Sequence, residues 1–294
     1  MSGRLDPATR RRIAENRRNW DARARVHADS PYYSLTERAA DTRFHPREWE
    51  QLGPLEGRSV LHLQCHNGVE TLAFAQKGAR TTGLDFSGDN LAVARRGARA
   101  AGLTVEYVEA DVYDAVTALD GRAFDLVYTG RGSLPYLPDL EEWARIVARL
   151  LKPGGLVYLM EFHPLLNSLG RAGPGDLEQP LELRYDYLAG GEALTFDTPH
   201  TYAPSRSGLL VEGATVSHEW PHTVVDVLRA LHQAGLTVDL DLLWETDWLD
   251  WPRWDGMVQV APGWWRRPEG GIRIPLMYAA GARRPATATA DPGN

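Results

Sequence analysis

Cysteine is nearly missing from this 294-residue sequence. Cys65 stands alone, which excludes an internal disulfide and any cysteine-rich metal centre. Lysine is almost as scarce, with Lys77 and Lys152 set against 30 arginines; together with abundant alanine, that bias reads as GC-rich codon usage and not as a site. No window approaches the ~18 consecutive apolar residues of a membrane-spanning helix. The arginines near the start, from Arg4 to Arg18, are followed by no apolar stretch, so no secretory signal is read there. An excess of positive charge is lacking too. Thirty-two basic against 39 acidic residues give a net charge of −7, a poor complement to a polyanion. Nucleic acid and membrane are therefore excluded as expected partners, and a soluble, cytoplasmic globular protein is expected.

What is present is aromatic and alternating. Six of the ten tryptophans fall between Trp244 and Trp265, a segment expected to pack against something. Residues 7–28 read as a helix, with Pro7 in its first turn and Ile13, Trp20 and Ala24 on one face. Eight arginines within residues 1–25 read mainly as a solvated helix face. From residue 58 onward strands alternate with helices. Strands are expected at Ser59–Gln64, Arg80–Leu84, Thr104–Glu109, Phe124–Tyr128 and Leu156–Glu161, and helices at Val69–Lys77, Asn90–Ala101 and Leu140–Leu151. Lys152-Pro153-Gly154-Gly155 reads as the stop of the third of these helices. Short β-like runs follow at Leu181–Leu188 and Ala193–Asp197, then a helix over Thr223–Ala234 and strands Leu236–Trp244 and Ile272–Ala280. Such alternation implies a parallel sheet with both faces covered. The tail Arg283–Asn294 reads as disordered.

In an open α/β sheet, ligands bind outside the carboxyl ends of the strands. The turn after the first strand, Cys65-His66-Asn67-Gly68, offers backbone N–H groups at a helix start. Asp85 ends the second strand, placed to accept from a ribose diol. Asp111 ends the third, where a carboxylate can accept from the exocyclic amine of adenine. Together they describe a nucleoside pocket.

Val60–Gly68 (VLHLQCHNG), Gly83–Ser87 (GLDFS), Glu109–Asp111 (EAD), Phe124–Thr129 (FDLVYT) and Leu150–Gly155 (LLKPGG) follow one another as in the class I S-adenosylmethionine-dependent methyltransferases. The chain resembles that family over residues 58–163 and, more weakly, 221–282. It is most similar to bacterial, actinomycete-type small-molecule members, whose first motif often reads HLQCHxG. The resemblance implies an α/β, Rossmann-like, seven-stranded mixed sheet with the last strand antiparallel and helices on both faces. It also implies S-adenosylmethionine as cofactor, S-adenosylhomocysteine as product, and a role in secondary-metabolite biosynthesis. The loop Gln64–Gly68, Cys65 and His66 included, would hold the methionine moiety and Asp85 the ribose hydroxyls. Phe86 would lie along the adenine with Ser87 beside it, and Asp111 with Val112 would meet its amino edge. Thr129 and Gly130 would face the sulfonium. Glu70 would cap the helix or reach the cofactor's ammonium. Tyr32 or Tyr33 either closes over the cofactor or is a core aromatic; Tyr33 is the one placed in the cofactor set.

The first motif departs from the family's acid-x-Gly-x-Gly-x-Gly. His62 replaces the acid, and Gln64 and His66 replace the first two glycines, leaving only Gly68. His66 reads equally as a turn residue or a ligand contact. The fourth turn, Thr129-Gly130-Arg131-Gly132, lacks the Asn/Asp-Pro-Pro-aromatic signature of enzymes that methylate base amines or glutamine amides, which argues for a small acceptor.

Methyl transfer needs positioning, and an O–H or N–H acceptor also needs a base, for which histidine is suited. His222 is the first candidate, with His218 and His163 behind it; a metal held by these three with Glu161 or Glu219 is the weaker reading. Tyr136 and Trp264 are candidates for an aromatic-walled acceptor pocket, against the plainer reading that the tryptophans pack the sheet edge. The expected reaction is methylation of oxygen or carbon in a small, aromatic metabolite, an indole among the options. Three rivals stand beside it: a reaction that uses the cofactor without methyl transfer, a cofactor-binding scaffold, and a nicotinamide oxidoreductase. The last expects Gly-x-Gly-x-x-Gly, which Gln64–Gly68 does not supply. One domain is read, divided into an N-terminal helical lid (1–57), a core (58–163 and 221–282), a β-rich cap insertion (164–220) and a tail (283–294). The N-terminal helix is either the lid or the interface of a homodimer.

Overall fold

The computed structural model describes residues 5–35, 39–169, 181–188 and 192–286. The chain opens with α1 (Pro7–Ala28), whose N-terminus is capped by the Asp6 carboxylate accepting from the N–H groups of Ala8 and Thr9. A single 3-10 turn at Pro31–Tyr33, another at Ala40–Arg43 and the short α2 (Pro46–Leu52) lead into the sheet. There β1 (Ser59–Leu63), α3 (Val69–Gln76), β2 (Arg80–Asp85), α4 (Gly88–Ala100) and β3 (Glu106–Glu109) follow one another. The chain continues through α5 (Ala115–Ala118), β4 (Phe124–Gly130), α6 (Leu140–Leu150), β5 (Leu151–Phe162) and α7 (Pro164–Ser168). A two-stranded ribbon, β6 (Leu194–Asp197) with β7 (Val216–Glu219), precedes α8 (Val224–Gln233) and β8 (Thr237–Thr246). A second ribbon, β9 (Val258–Ala261) with β10 (Trp264–Arg266), precedes β11 (Met277–Arg283).

Seven strands form one sheet in the order β3-β2-β1-β4-β5-β11-β8, and β11 alone runs antiparallel to its neighbours. This is the expected mixed sheet. Its strands alternate between two cores, as a period of two requires. Val60, Leu126, Tyr128, Leu156 and Tyr158 face α3 and α4, while Leu61, Leu63, Val127, Val157 and Leu159 face α6 and α8. Trp143 of α6 is fully buried in the second core.

Several boundaries differ from the sequence reading. Lys152–Gly155 does not separate α6 from its strand: Leu151 already pairs with Phe124, and the Pro-Gly-Gly stretch is a register irregularity inside β5. The last strand starts at Met277 and not at residue 272, because it begins only after Pro275, which lacks the N–H a ladder needs. It also runs through Arg283, into the segment read as tail; residues 287–294 of that segment lie outside the described residues. Leu181–Leu188 forms no strand, whereas the run at 193–197 does. No helix among the described residues is long and apolar enough to cross a membrane.

The segment before the sheet is not a separate layer. Helix α1 lies against α4 and β7. Asn16 bonds the backbone of His218 in both directions, Nδ2 to its carbonyl at 2.8 Å and its N–H to Oδ1 at 2.7 Å. Asn19 donates to the Ala214 carbonyl at 2.7 Å. The N-terminal helix and the insertion thus form one roof over the carboxyl end of the sheet.

Candidate active site

Under that roof the carboxyl ends of β1, β2 and β4 open on a cleft of about 920 Å³ of atom-free space, part of it continuous with solvent. Carboxylates and aromatic rings line it together, as in a small-molecule site. The first turn sets one wall. Gln64 and His66 both adopt left-handed backbone (φ 54° and 51°), and Gly68 (φ 74°) starts α3. A Cβ at Gly68 would lie 2.6 Å from the Tyr107 hydroxyl and 2.7 Å from the Ala94 methyl. That glycine permits close packing of α3 on its surroundings and does not line the cleft. Gln64, Cys65, His66 and Glu70 do line it. Gln64 donates to the Ser133 carbonyl at 3.0 Å, and its Oε1 is buried without a hydrogen-bond partner among the described residues. Glu70 faces Arg43 at 3.6 Å; burial pushes its carboxyl up, but Arg43 and Arg131 outweigh that and hold it below the usual range.

Asp85 and Phe86 line the floor beside Asp111. The Asp85 carboxylate accepts from the N–H groups of His66 and Ser87, each at 2.8 Å. Burial still pushes it up to about 6. Asp111 caps its 3-10 turn by accepting from the Tyr113 N–H at 2.9 Å, and burial raises it as well. Ser87 and Val112 lie off the cleft. The Ser87 hydroxyl caps α4 and donates to Asp21 at 2.6 Å, and Val112 is in the core. Thr129 is also off the wall, its hydroxyl turned to the Leu63 carbonyl at 3.5 Å, whereas Gly130 lines it. Glu161 holds the fourth turn in place. It accepts from the backbone of Gly132 (2.6 Å), Ser133 (3.0 Å) and Leu134 (3.1 Å), and burial pushes it up to about 7.

The remaining walls are aromatic. Tyr33 lines the cleft, its hydroxyl bonded to that of Tyr202 and its ring 5.0 Å from His66. Trp20, Tyr32, Tyr136, Phe162 and Tyr202 complete them. Tyr32 donates to Asp250 at 2.6 Å and Tyr136 to Glu219 at 3.2 Å. Arg131, left-handed at φ 60° between two glycines, points its guanidinium at Glu48, 3.1 Å away. Arg131 Nε and Nη1 have no hydrogen-bond partner among the described residues.

Trp264 is not on the wall. It is buried one layer behind, its Nε1 donating to the Thr42 carbonyl at 3.1 Å and its ring 5.7 Å from the Arg131 guanidinium. The three histidines named as candidate bases are also away from the cleft. His163 caps α7 through Nδ1 and meets Glu245 through Nε2 at 3.1 Å. His218 is held between Thr195 and Glu15, and the His222 Nε2 lies 2.7 Å from the Leu137 carbonyl. With both ring nitrogens of His163 and His218 bonded inside the protein, they are structural in this arrangement. No group of three or more His, Cys, Asp or Glu side chains among the described residues is arranged to hold a metal ion.

Sequence reasoning missed Trp20, Arg43, Glu48 and Tyr202. Each comes from the N-terminal segment or the insertion, which carry no motif. Arg131 had a signal, an arginine between two glycines at a strand end.

Known proteins share part of this sequence and this fold. A methyltransferase domain model matches residues 60–155. A ubiquinone biosynthesis O-methyltransferase from Ralstonia nicotianae is 31% identical over 189 aligned positions, covering 53% of this chain and 79% of that one. Its counterpart from Bordetella avium is 38% identical over 113 positions, covering 38% of this chain and 46% of that one. The chain thus spans about half the length of several of the curated relatives it matches. In fold, it is similar to the CcbJ methyltransferase from Streptomyces caelestis, with a TM-score of 0.57 at 18% identity, covering 91% of this chain and 98% of that one. With the strand order, the acid-ended strands and these similarities in hand, the chain belongs to the class I S-adenosylmethionine-dependent methyltransferases.

Proposed function

We propose that this protein transfers the methyl group of S-adenosylmethionine to a hydroxyl oxygen of a small aromatic acceptor. One observation carries the reading. The cleft is divided between a polar floor suited to a nucleoside (Asp85, Phe86, Asp111) and aromatic walls (Trp20, Tyr32, Phe162, Tyr202) suited to a flat ring. Relatives named for O-methylation support oxygen as the target.

The residues fit the cofactor. Two carboxylate sites of Asp85 are taken by backbone N–H groups, which leaves lone pairs for a ribose diol. The buried Gln64 Oε1 and the Arg131 nitrogens without partners complement an ammonium and a carboxylate, the two ends of an amino acid. Bound there, S-adenosylmethionine supplies an electrophilic methyl carbon on a sulfonium, open to in-line attack.

The protein's contribution is placement. Glu161 fixes the backbone of residues 132–134 next to Gly130, so the wall nearest the reacting atoms is rigid. The roof of α1 and β7, fastened by Asn16 to the His218 backbone, lies over the cleft and narrows its opening to solvent. The aromatic rings offer faces and edges against which a planar acceptor can pack.

Incubating the protein with S-adenosylmethionine and a panel of phenols and catechols tests the proposal, read by mass spectrometry for S-adenosylhomocysteine and the methyl ether in equal amounts. S-adenosylhomocysteine without a methylated product, or methylation confined to amines, would sink it.

A further inference from the structure

Left-handed backbone costs a non-glycine residue about 1–2 kcal/mol, and such strain persists where the side chain does something glycine cannot. Gln64 and His66 both carry it, one residue apart. For Gln64 the use is visible, since its amide bonds the Ser133 carbonyl across the cleft. The His66 ring stands in the cleft wall, between Trp20 (5.1 Å) and Tyr33 (5.0 Å). Its Nε2 is 3.0 Å from Nδ1 of His27, and the Nε2 of His27 is 2.7 Å from the Thr201 hydroxyl. Among the described residues no hydrogen-bond partner faces the His66 Nδ1.

This chain of three couples the two tautomers. When the His27 Nε2–H donates to Thr201, the Nδ1 of His27 accepts from the Nε2–H of His66. The lone pair of His66 then falls on Nδ1 of a ring that lines the cleft. Because the candidate bases at 163, 218 and 222 lie elsewhere, we propose that His66 is the catalytic base of acceptor methylation and that His27 is the positioning residue that sets its tautomer. This rests on the phenolic-acceptor reading above. The acceptor oxygen gives its proton to His66 Nδ1 while its electron pair forms the bond to the methyl carbon. The pair of the breaking carbon–sulfur bond stays on sulfur, and the imidazolium afterwards returns its proton to solvent.

In the free protein the surroundings keep the ring uncharged. Burial presses His66 down to about 3, with Arg23, Arg43 and His62 adding to the effect and Glu70 opposing it. Burial lowers His27 as well. Both rings are therefore neutral at neutral pH, and the lone pair is present whenever an acceptor arrives. Negative charge developing on the acceptor oxygen then raises the proton affinity of the ring it faces.

The test uses 4-nitrophenol, whose absorbance separates phenol from phenolate, bound to the full-length protein with S-adenosylhomocysteine. The expected result is a bound probe about tenfold richer in phenolate than the free probe at the same pH, one unit of pKa. His66→Gly relieves the backbone strain and should fold, as read by circular dichroism and thermal unfolding; it should still bind the probe but lose the phenolate. His27→Phe should lose most of it, and His27→Asn, whose Oδ1 can replace Nδ1 as acceptor, should restore it. A probe bound as the neutral phenol, or as phenolate equally well by His66→Gly, overturns the assignment of the base. Failure of every phenol to bind, with S-adenosylhomocysteine binding intact, overturns instead the acceptor class on which it rests.

Discussion

Replacing Asp85 by Asn should weaken cofactor binding about a hundredfold and abolish its pH dependence. The carboxylate offers four lone-pair sites, and the N–H groups of His66 and Ser87 occupy two of them, each at 2.8 Å. Two ribose hydroxyls can take the others, as hydrogen bonds to a charged acceptor worth about 1.5–3 kcal/mol each. An amide keeps one oxygen and turns an NH2 toward groups that are themselves donors. A net loss of about 3 kcal/mol is expected, roughly 150-fold in Kd. The pH dependence is a separate signature. Burial sets the Asp85 carboxyl at about 6, and the ionised form is the one that accepts from the diol. Affinity of the wild-type protein should therefore be flat above pH 6 and fall about tenfold per unit below it. Stability runs the other way. A carboxyl raised from 3.8 to about 6 contributes stability that is fully present below pH 4 and is lost as pH rises through 6. The free protein thus grows less stable in the window where its cofactor affinity grows. Calorimetric titration with S-adenosylhomocysteine between pH 5 and 8, on both proteins, reads the effect. A variant within threefold of wild type at pH 8, or one that keeps the pH slope, would refute the reasoning.

Two further substitutions probe the frame of the cleft. Glu161, raised to about 7 by burial, contributes stability present below about pH 4.5 and lost as pH rises through 7; urea unfolding of Glu161→Gln across that range should show a shallower decline, by up to about 1.4 kcal/mol per pH unit. Glu48→Ala leaves the Arg131 guanidinium buried with no carboxylate at 3.1 Å. That should cost about 3–5 kcal/mol, whereas adding Arg131→Met should recover most of it. In thermal unfolding the single variant should lie about 5–8 °C below wild type.

The sheet was legible because its signals are local. Short apolar runs at Val60–Leu63 and Leu156–Leu159, acids closing β2 and β3, and the amphipathic run of α6 each sit within a short stretch of chain. The polar floor of the cleft followed from the same strand ends. The walls were not legible, because their residues meet only through tertiary contact. His27 and His66 are 39 residues apart, and Tyr33 and Tyr202 are 169 apart, with no periodicity to announce either pair. Trp264 shows the converse. A tryptophan cluster suggested a pocket wall, yet its ring fills the space behind Arg131, where a large flat side chain shields a buried cation. His218 was singled out for its chemistry, and its neighbours Thr195 and Glu15 occupy both nitrogens.

The paired hydrogen bonds between Asn16 and the backbone of His218 span 202 residues of sequence. During synthesis the first helix therefore emerges long before the strand that fastens it, with five of the seven sheet strands between them and β8 and β11 still to come. Contacts of such separation are assembled late and slowly. A stalled chain ending before residue 216 would carry β1 to β5 with α1 unfastened and with β8 and β11 still to join the sheet.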